Sequence, residues 1–365
     1  MRECGHSVRA RCCDFRRKLW SADTPFVSHP HPTRTALHLL PLKPLEFPIA
    51  TVSLTGVTKH VFSAVRHAVV PAAGRGTRFL PLTKTIPKEM LPLLARPTIE
   101  YVVQEATEAG ISDVLLISRS GKESMVDYFD VSPELEEHLL RIGKREELAA
   151  VTAYLDQAKV FVVRQGMPGG LGHAVLQARS HVGNNPFAVL LPDDILWPGD
   201  PVLEQMCRVR EHLGGSVVAL MKVSQEEAVN YGSAAVKPVE NLPFEEIGLE
   251  AGSVFKIAEV VEKPPKEAVL SEYAVAGRYV LDPVVFETLE DLPPGQGGEI
   301  QLTDALRALI RVSPPEGGGL YGVVLSGDRF DTGTPLGYLQ TYISFALEDP
   351  KLGSPLREFL RQLPL

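Results

Sequence analysis

From residue 66 onward, short apolar runs alternate with helix-like segments. The apolar runs predict strands at Ala68–Ala72, Asp113–Ser118, Val160–Val163, Phe187–Leu191 and Ser216–Val223. The segments between them predict helices at Thr98–Ala109, Gly121–Phe129, Glu134–Val151, Gly172–Val182 and Pro201–Leu213. Strands that alternate with helices imply crossover units and a mostly parallel sheet. Runs such as VLLIS and FAVLLP are apolar throughout, as expected of strands covered on both faces. Glu134–Val151 is long and charged, which suits a helical insertion facing solvent.

The pattern changes over residues 231–281. Three β-rich runs, GSAAVKP, SVFKIAEVVEKP and YAVAGRYVL, are separated by Gly and Pro turns and read as antiparallel. Helices return at Pro283–Leu289, Gln301–Arg311 and Pro335–Leu347, and the chain ends in a short amphipathic helix near Leu356–Leu363. The expected fold is α/β: a Rossmann-like, mostly parallel mixed sheet flanked by helices, with a β-rich subregion at 231–281. Residues 66–350 form the expected domain and 351–365 a C-terminal helix. Residues 1–60 sustain no helical or strand period and contain no signal-like apolar region. They read as a disordered extension or as upstream sequence translated from an early start.

The 365 residues allow one large or two small domains. No apolar run approaches the ~20 residues that span a bilayer, so no membrane partner is expected. Charge is unevenly placed: residues 1–66 hold ten Lys/Arg and four Asp/Glu, and the remainder holds 27 and 41. An acidic body argues against nucleic acid as a partner, since DNA binding needs basic surface. Its cations should instead gather in one cleft around an anionic small molecule. Only Cys207 lies in the body, with no C-x-x-C and no metal-ligand spacing; this fits a reducing cytoplasm and a packed thiol.

The chemistry is concentrated in HAVVPAAGRGTRFLPLTKTIPKEMLPLLARP, residues 67–97. An apolar strand leads into a glycine-rich turn at 73–78, where backbone N–H groups can approach phosphate oxygens. Arg78, Lys84 and Lys88 follow within reach of a triphosphate. The Lys-Ser/Thr ending of a P-loop is missing, and Phe79 stands where a dinucleotide fingerprint needs its third glycine. The turn therefore points to a nucleoside triphosphate at the end of the first strand.

Further motifs fall at strand ends, where ligands of such sheets bind. Arg164-Gln165-Gly166 and GLGHA at 170–174 offer a flat amide at Gln165 for a base edge and a bare Gly170 beside which a base can lie; His173 reads as a capping or packing residue. Asp193 in LPDD follows an apolar strand and suits Mg²⁺, which prefers oxygen ligands. Tyr231-Gly232, Glu262-Lys263-Pro264, the helix-opening GEIQLTD at 298–304 and Asp331-Thr332-Gly333 complete the set.

In this order and at these spacings, the motifs resemble those of the sugar nucleotidyltransferases. TKTIPKEMLP looks most like the bacterial UTP–glucose-1-phosphate uridylyltransferases. The resemblance implies that Arg78 and Lys88 hold the UTP phosphates on the turn of Ala73, Gly74, Gly76 and Thr77. It implies that Gln165 and Gly170 frame the uracil, and that Gly232, Glu262 and Lys263 hold the sugar phosphate. Asp193 becomes the Mg²⁺ ligand, with Asp331 at the second acidic position; Asp194 has no assigned role. UTP and glucose 1-phosphate are the implied partners of a cytoplasmic homodimer or homotetramer. Ala95-Arg96-Pro97 departs from the usual Asp-Lys-Pro, Thr334-Pro335 follows the DTG, and residues 1–60 have no counterpart. A thymidylyl- or other nucleotidyltransferase of the same fold, and a regulator that binds sugar nucleotides without turnover, are the alternatives.

Overall fold

Successive side chains of the first strand, His67–Pro71 (β1), enter opposite cores: Ala68 and Val70 one, Val69 the other. Asp113–Ser118 (β2) repeats this, with Val114 and Leu116 against Leu115 and Ile117. That alternation is the period of a strand covered on both faces. The computed structural model describes residues 62–153, 157–313 and 316–364; the expectation for residues 1–60 lies outside them.

The remaining strands of the main sheet are Lys159–Arg164 (β3), Phe187–Leu190 (β4), Ser216–Lys222 (β5), Gly232–Pro238 (β6), Val254–Glu262 (β7), Tyr273–Leu281 (β8) and Leu320–Val324 (β9). Their spatial order is β3-β2-β1-β4-β8-β5-β9-β7-β6, with β8 also touching β6. The first four are mutually parallel, and β5 is parallel to β9. β8 runs antiparallel to both β4 and β5, and β7 antiparallel to β9 and β6. The mixed, mostly parallel α/β sheet is therefore as expected. The β-rich segment differs in one respect: β8 lies in the middle of the main sheet, because its nearly unbroken apolar face, eight of nine residues buried, needs cover on both sides. β3 is an edge strand, with Phe161 and Val162 exposed.

Two expected helices are split. Glu134–Val151 is Pro133–Arg141 and Arg145–Thr152, separated where Gly143 takes the left-handed conformation (φ 74°) that ends helices. It is the solvent-facing insertion expected, with no fully buried residue in either helix. Gly172–Val182 is Gly170–Leu176 followed by Arg179–Val182. Gly121–Phe129 shortens to Glu123–Asp127. The C-terminal helix, Gly353–Gln362, packs on Pro335–Glu348, where Arg357 pairs with Glu348 at 3.1 Å. Among the described residues no helix is long and apolar enough to cross a membrane.

A two-stranded ribbon, Asp194–Leu196 paired with Arg329–Asp331, matters most for function. It carries the segment after β4 alongside the segment after β9, at the carboxyl ends of the parallel strands.

Candidate active site

The glycine turn leaves β1 and folds back on itself. Gly76 sits at φ 63°, and Thr83 donates its hydroxyl to the Gly76 carbonyl at 2.7 Å. A side chain at Gly76 would press on Thr83 and on the stem of Lys88, which also passes 4.0 Å from the Cβ position of Gly74. The turn thus points Lys88 along its own inner face. Lys84, at the end of the intervening turn, is exposed.

Lys88 Nζ meets Asp193 Oδ2 at 2.6 Å, with the two side chains 19% and 30% exposed. Burial works against both charges, lowering the Lys88 pKa and raising that of Asp193. Their mutual attraction and hydrogen bond outweigh it, so Lys88 is raised and Asp193 lowered. Thr332 holds the same segment, its N–H and hydroxyl donating to the Asp193 carbonyl at 2.8 and 3.0 Å. A Cβ on Gly333 would lie 3.0 Å from Asp193 Oδ2 and 3.0 Å from Asp331 Oδ1, so the two carboxylates flank that glycine. Arg78 donates to the Gly333 carbonyl at 3.2 Å. Arg78, Lys88, Asp193 and Asp331, from three separate stretches of the chain, therefore surround one point. Two carboxylates there form an oxygen donor set suited to a hard divalent cation.

Three ion pairs that no motif announced hold this arrangement. Lys122, from the turn after β2, is buried; it donates to the Ala72 carbonyl and pairs with buried Glu89 at 2.7 Å. Burial lowers the Lys122 pKa in spite of Glu89. Asp194 is buried against Arg329, and there burial outweighs the cation and raises the Asp194 pKa. Arg278, wholly buried on β8, donates to the carbonyls of Leu191 and Asp194 at 3.0 and 2.6 Å and grips Glu105 with two bonds. Gly277 beside it sits at φ 70°, and a Cβ there would strike the Asp194 carboxylate. Asp194, left without a role by the sequence, is thus an anchor for the LPDD segment. The partners of these residues are 33 to 173 positions away, and no local pattern signals them.

Ala73 and Gln165 line a small cavity of about 80 Å³ with Arg75 and Arg119. Gln165 is buried, and its amide donates toward His173 at 2.8 Å; His173 in turn touches Gln177 at 3.2 Å. The half-buried His173 ring thus bridges the amides of Gln165 and Gln177. Gly170 sits at φ 92°, and its missing Cβ makes room for Glu299 and Ile300, at 2.7 and 2.8 Å. The backbones of Gly169, Gly172 and Ile300 are bonded at 2.8 Å, so GEIQLTD serves to hold the GLGHA helix start.

On the other flank, Gly232 and Glu262 are opposite partners of β6 and β7. Thr303 donates to Glu262 at 2.6 Å, and Lys263 N–H bonds the Tyr231 carbonyl at 3.0 Å. Lys263 is 61% exposed and stands at φ 41°, a strained conformation for a residue with a side chain. Tyr231 also accepts from Arg329 at 3.3 Å, which links this flank to Asp194. A groove of about 740 Å³ lined by Tyr231, Arg329 and Asp331 opens beside the link.

A family model described as nucleotidyl transferase matches residues 67–342. The UTP–glucose-1-phosphate uridylyltransferases of Staphylococcus haemolyticus and Bacillus subtilis are each 41% identical over 299 residues. Each alignment covers 82% of this chain, with 98% and 97% of the relatives. A solved structure described as UTP-bound UGPase from Acinetobacter baumannii superposes with a TM-score of 0.72 at 38% identity, over 82% of this chain and 99% of that one.

Proposed function

The chain belongs to the nucleotidyl transferase family, and from that membership we propose that it transfers the uridylyl group of UTP to glucose 1-phosphate, releasing UDP-glucose and pyrophosphate. The observation that carries this reading is the meeting of Arg78, Lys88, Asp193 and Asp331 around Gly333, at the carboxyl end of the sheet.

The nucleophile needs no general base, because a sugar 1-phosphate already carries an anionic oxygen at neutral pH. The task is to bring two anions into line and to stabilise charge on the departing pyrophosphate. Arg78 and Lys88 bind the triphosphate over the turn of Ala73, Gly74, Gly76 and Thr77. Gln165 offers its amide to the uracil edge, and Gly170 keeps the neighbouring helix start in place. Gly232 leaves room for the sugar, Glu262 accepts from its hydroxyls, and Lys263 neutralises its phosphate. Asp193 and Asp331 would hold Mg²⁺, which when bound would supply positive charge to offset that of the phosphates. The enzyme is expected to act in the cytoplasm as a homodimer or homotetramer.

The test is pyrophosphate release by the purified chain with Mg²⁺, glucose 1-phosphate and each of UTP, dTTP, ATP, CTP and GTP. UTP should lead. Thymine differs by one methyl, worth about 1–3 kcal/mol, so dTTP should trail. A preference for dTTP would move the enzyme to the thymidylyl branch. A folded protein that binds UTP and releases no pyrophosphate would overturn the catalytic reading.

A further inference from the structure

His67, Asp113 and His181 converge at the amino end of the parallel strands, opposite the cleft. His67 and Asp113 open β1 and β2 and are paired in register; His181 comes from the helix Arg179–Val182. Asp113 Oδ1 lies 2.7 Å from His181 Nε2 and 3.4 Å from His67 Nδ1, and the three potential ligand atoms all fall within 4.8 Å of one another. The rings meet edge to face at 5.8 Å, and Phe161 covers His181 at 4.8 Å. His67 Nδ1 is a buried atom with no hydrogen-bond partner.

A hydrogen-bonded cluster accounts for His181 and Asp113 but not for the unsatisfied nitrogen of His67, which is costly to leave buried. A cation at the centre accounts for all three. We propose that His67, Asp113 and His181 form a binding site for a divalent transition-metal ion, best suited to zinc. Imidazole nitrogen and carboxylate oxygen both ligate zinc at about 2.0–2.2 Å. Corners of a tetrahedron of that size stand roughly 3.3 Å apart; the His67–Asp113 spacing of 3.4 Å matches, and the His181–Asp113 hydrogen bond of 2.7 Å opens to that spacing when a cation replaces its proton. The side chains are 19%, 27% and 21% exposed, which leaves a fourth position for water. Two imidazoles favour zinc, copper or nickel over Mg²⁺, whereas the oxygen pair Asp193 and Asp331 has the opposite preference. Its place far from the reacting groups makes this site a clasp that ties β1, β2 and a helix together.

The test uses the untagged full chain stripped with chelator. Zinc chloride is titrated by calorimetry, and melting temperature is followed with and without zinc. The same measurements are made on His67→Gln, His181→Gln and the double variant, which keep bulk and hydrogen-bonding capacity beside Asp113. Wild type should bind one zinc per chain at this site and melt higher with it. Each single variant should bind more than about 100-fold more weakly, beyond the cost of losing an outer partner. Zinc binding and thermal shift that are the same in wild type and double variant would overturn the site, as would no binding to wild type at all. Neither readout depends on the proposed uridylyl transfer, so the two readings fail separately.

Discussion

Lys88 and Asp193, 105 residues apart in the chain, meet at 2.6 Å. The residue proposed to grip phosphate and the residue proposed to hold the metal thus keep each other charged and aligned. A triphosphate entering the turn competes with Asp193 for the ammonium, and a cation competes with Lys88 for the carboxylate. The arrangement is preorganised for two ligands of opposite sign.

Lys88→Ala should lower kcat/KM by about 10²–10³, the range for removing one donor to developing negative charge. Initial rates of pyrophosphate release, with circular dichroism to confirm the fold, check this. Activity within tenfold of wild type would remove Lys88 from the phosphate clamp.

Lys263 combines a proposed contact with a strained backbone at φ 41°. Lys263→Ala removes the charge and keeps the strain; Lys263→Gly removes both. Each should cost several kcal/mol in kcat/KM. In urea denaturation the glycine variant should be more stable than the alanine variant by roughly 0.5–1 kcal/mol, the cost of a left-handed side chain less the entropy of glycine. Near-normal turnover by either variant would refute the contact.

Glu89 and Lys122 form a pair that is 1% and 7% exposed. Lys122→Met alone leaves a buried carboxylate without its cation and should cost about 3–5 kcal/mol of folding stability. Adding Glu89→Leu should recover much of it, since well-packed apolar replacements of buried pairs are often neutral. Strictly additive losses in the two-variant cycle would show that the pair is not coupled.

Burial, reinforced by Glu211, pushes the Cys207 thiol up to about 12. The reactive thiolate is therefore a minute fraction at pH 8. Peptide mapping after iodoacetamide treatment should find Cys207 unlabelled in the native chain and labelled in urea. Its rapid labelling without denaturant would contradict the packing.

Elements whose signal is local were legible. Asp113–Ser118 has the bounds its apolar run predicts, and GSAAVKP is the strand Gly232–Pro238. Features that depend on distant chain were not. The three-residue strands Asp194–Leu196 and Arg329–Asp331 are too short to show a period, and only their mutual pairing defines them. Gly143 reads as an ordinary residue of a charged helix until its left-handed φ is seen. In the site, groups aimed at ligands stood out because the glycine turn and LPDD are compact motifs. The groups that aim them, Lys122, Arg278 and Arg329, did not, because their partners lie far along the chain: Glu89 in the turn Lys88–Met90, Glu105 on the helix Thr98–Glu108 and Asp194 on the ribbon.

The position of Tyr273–Leu281 also governs when the molecule can assemble. Its antiparallel strand joins Phe187–Leu190 to Ser216–Lys222, so during synthesis the four earlier parallel strands wait with an unpaired apolar edge. Leu320–Val324 must then slot between two strands already made. Vectorial growth from the ribosome cannot complete this sheet piece by piece; closure waits until Leu320–Val324 has been made. Such a delay favours a nascent chain whose exposed edge is shielded by chaperones, and it makes truncation before residue 281 a route to aggregation rather than to a smaller folded protein.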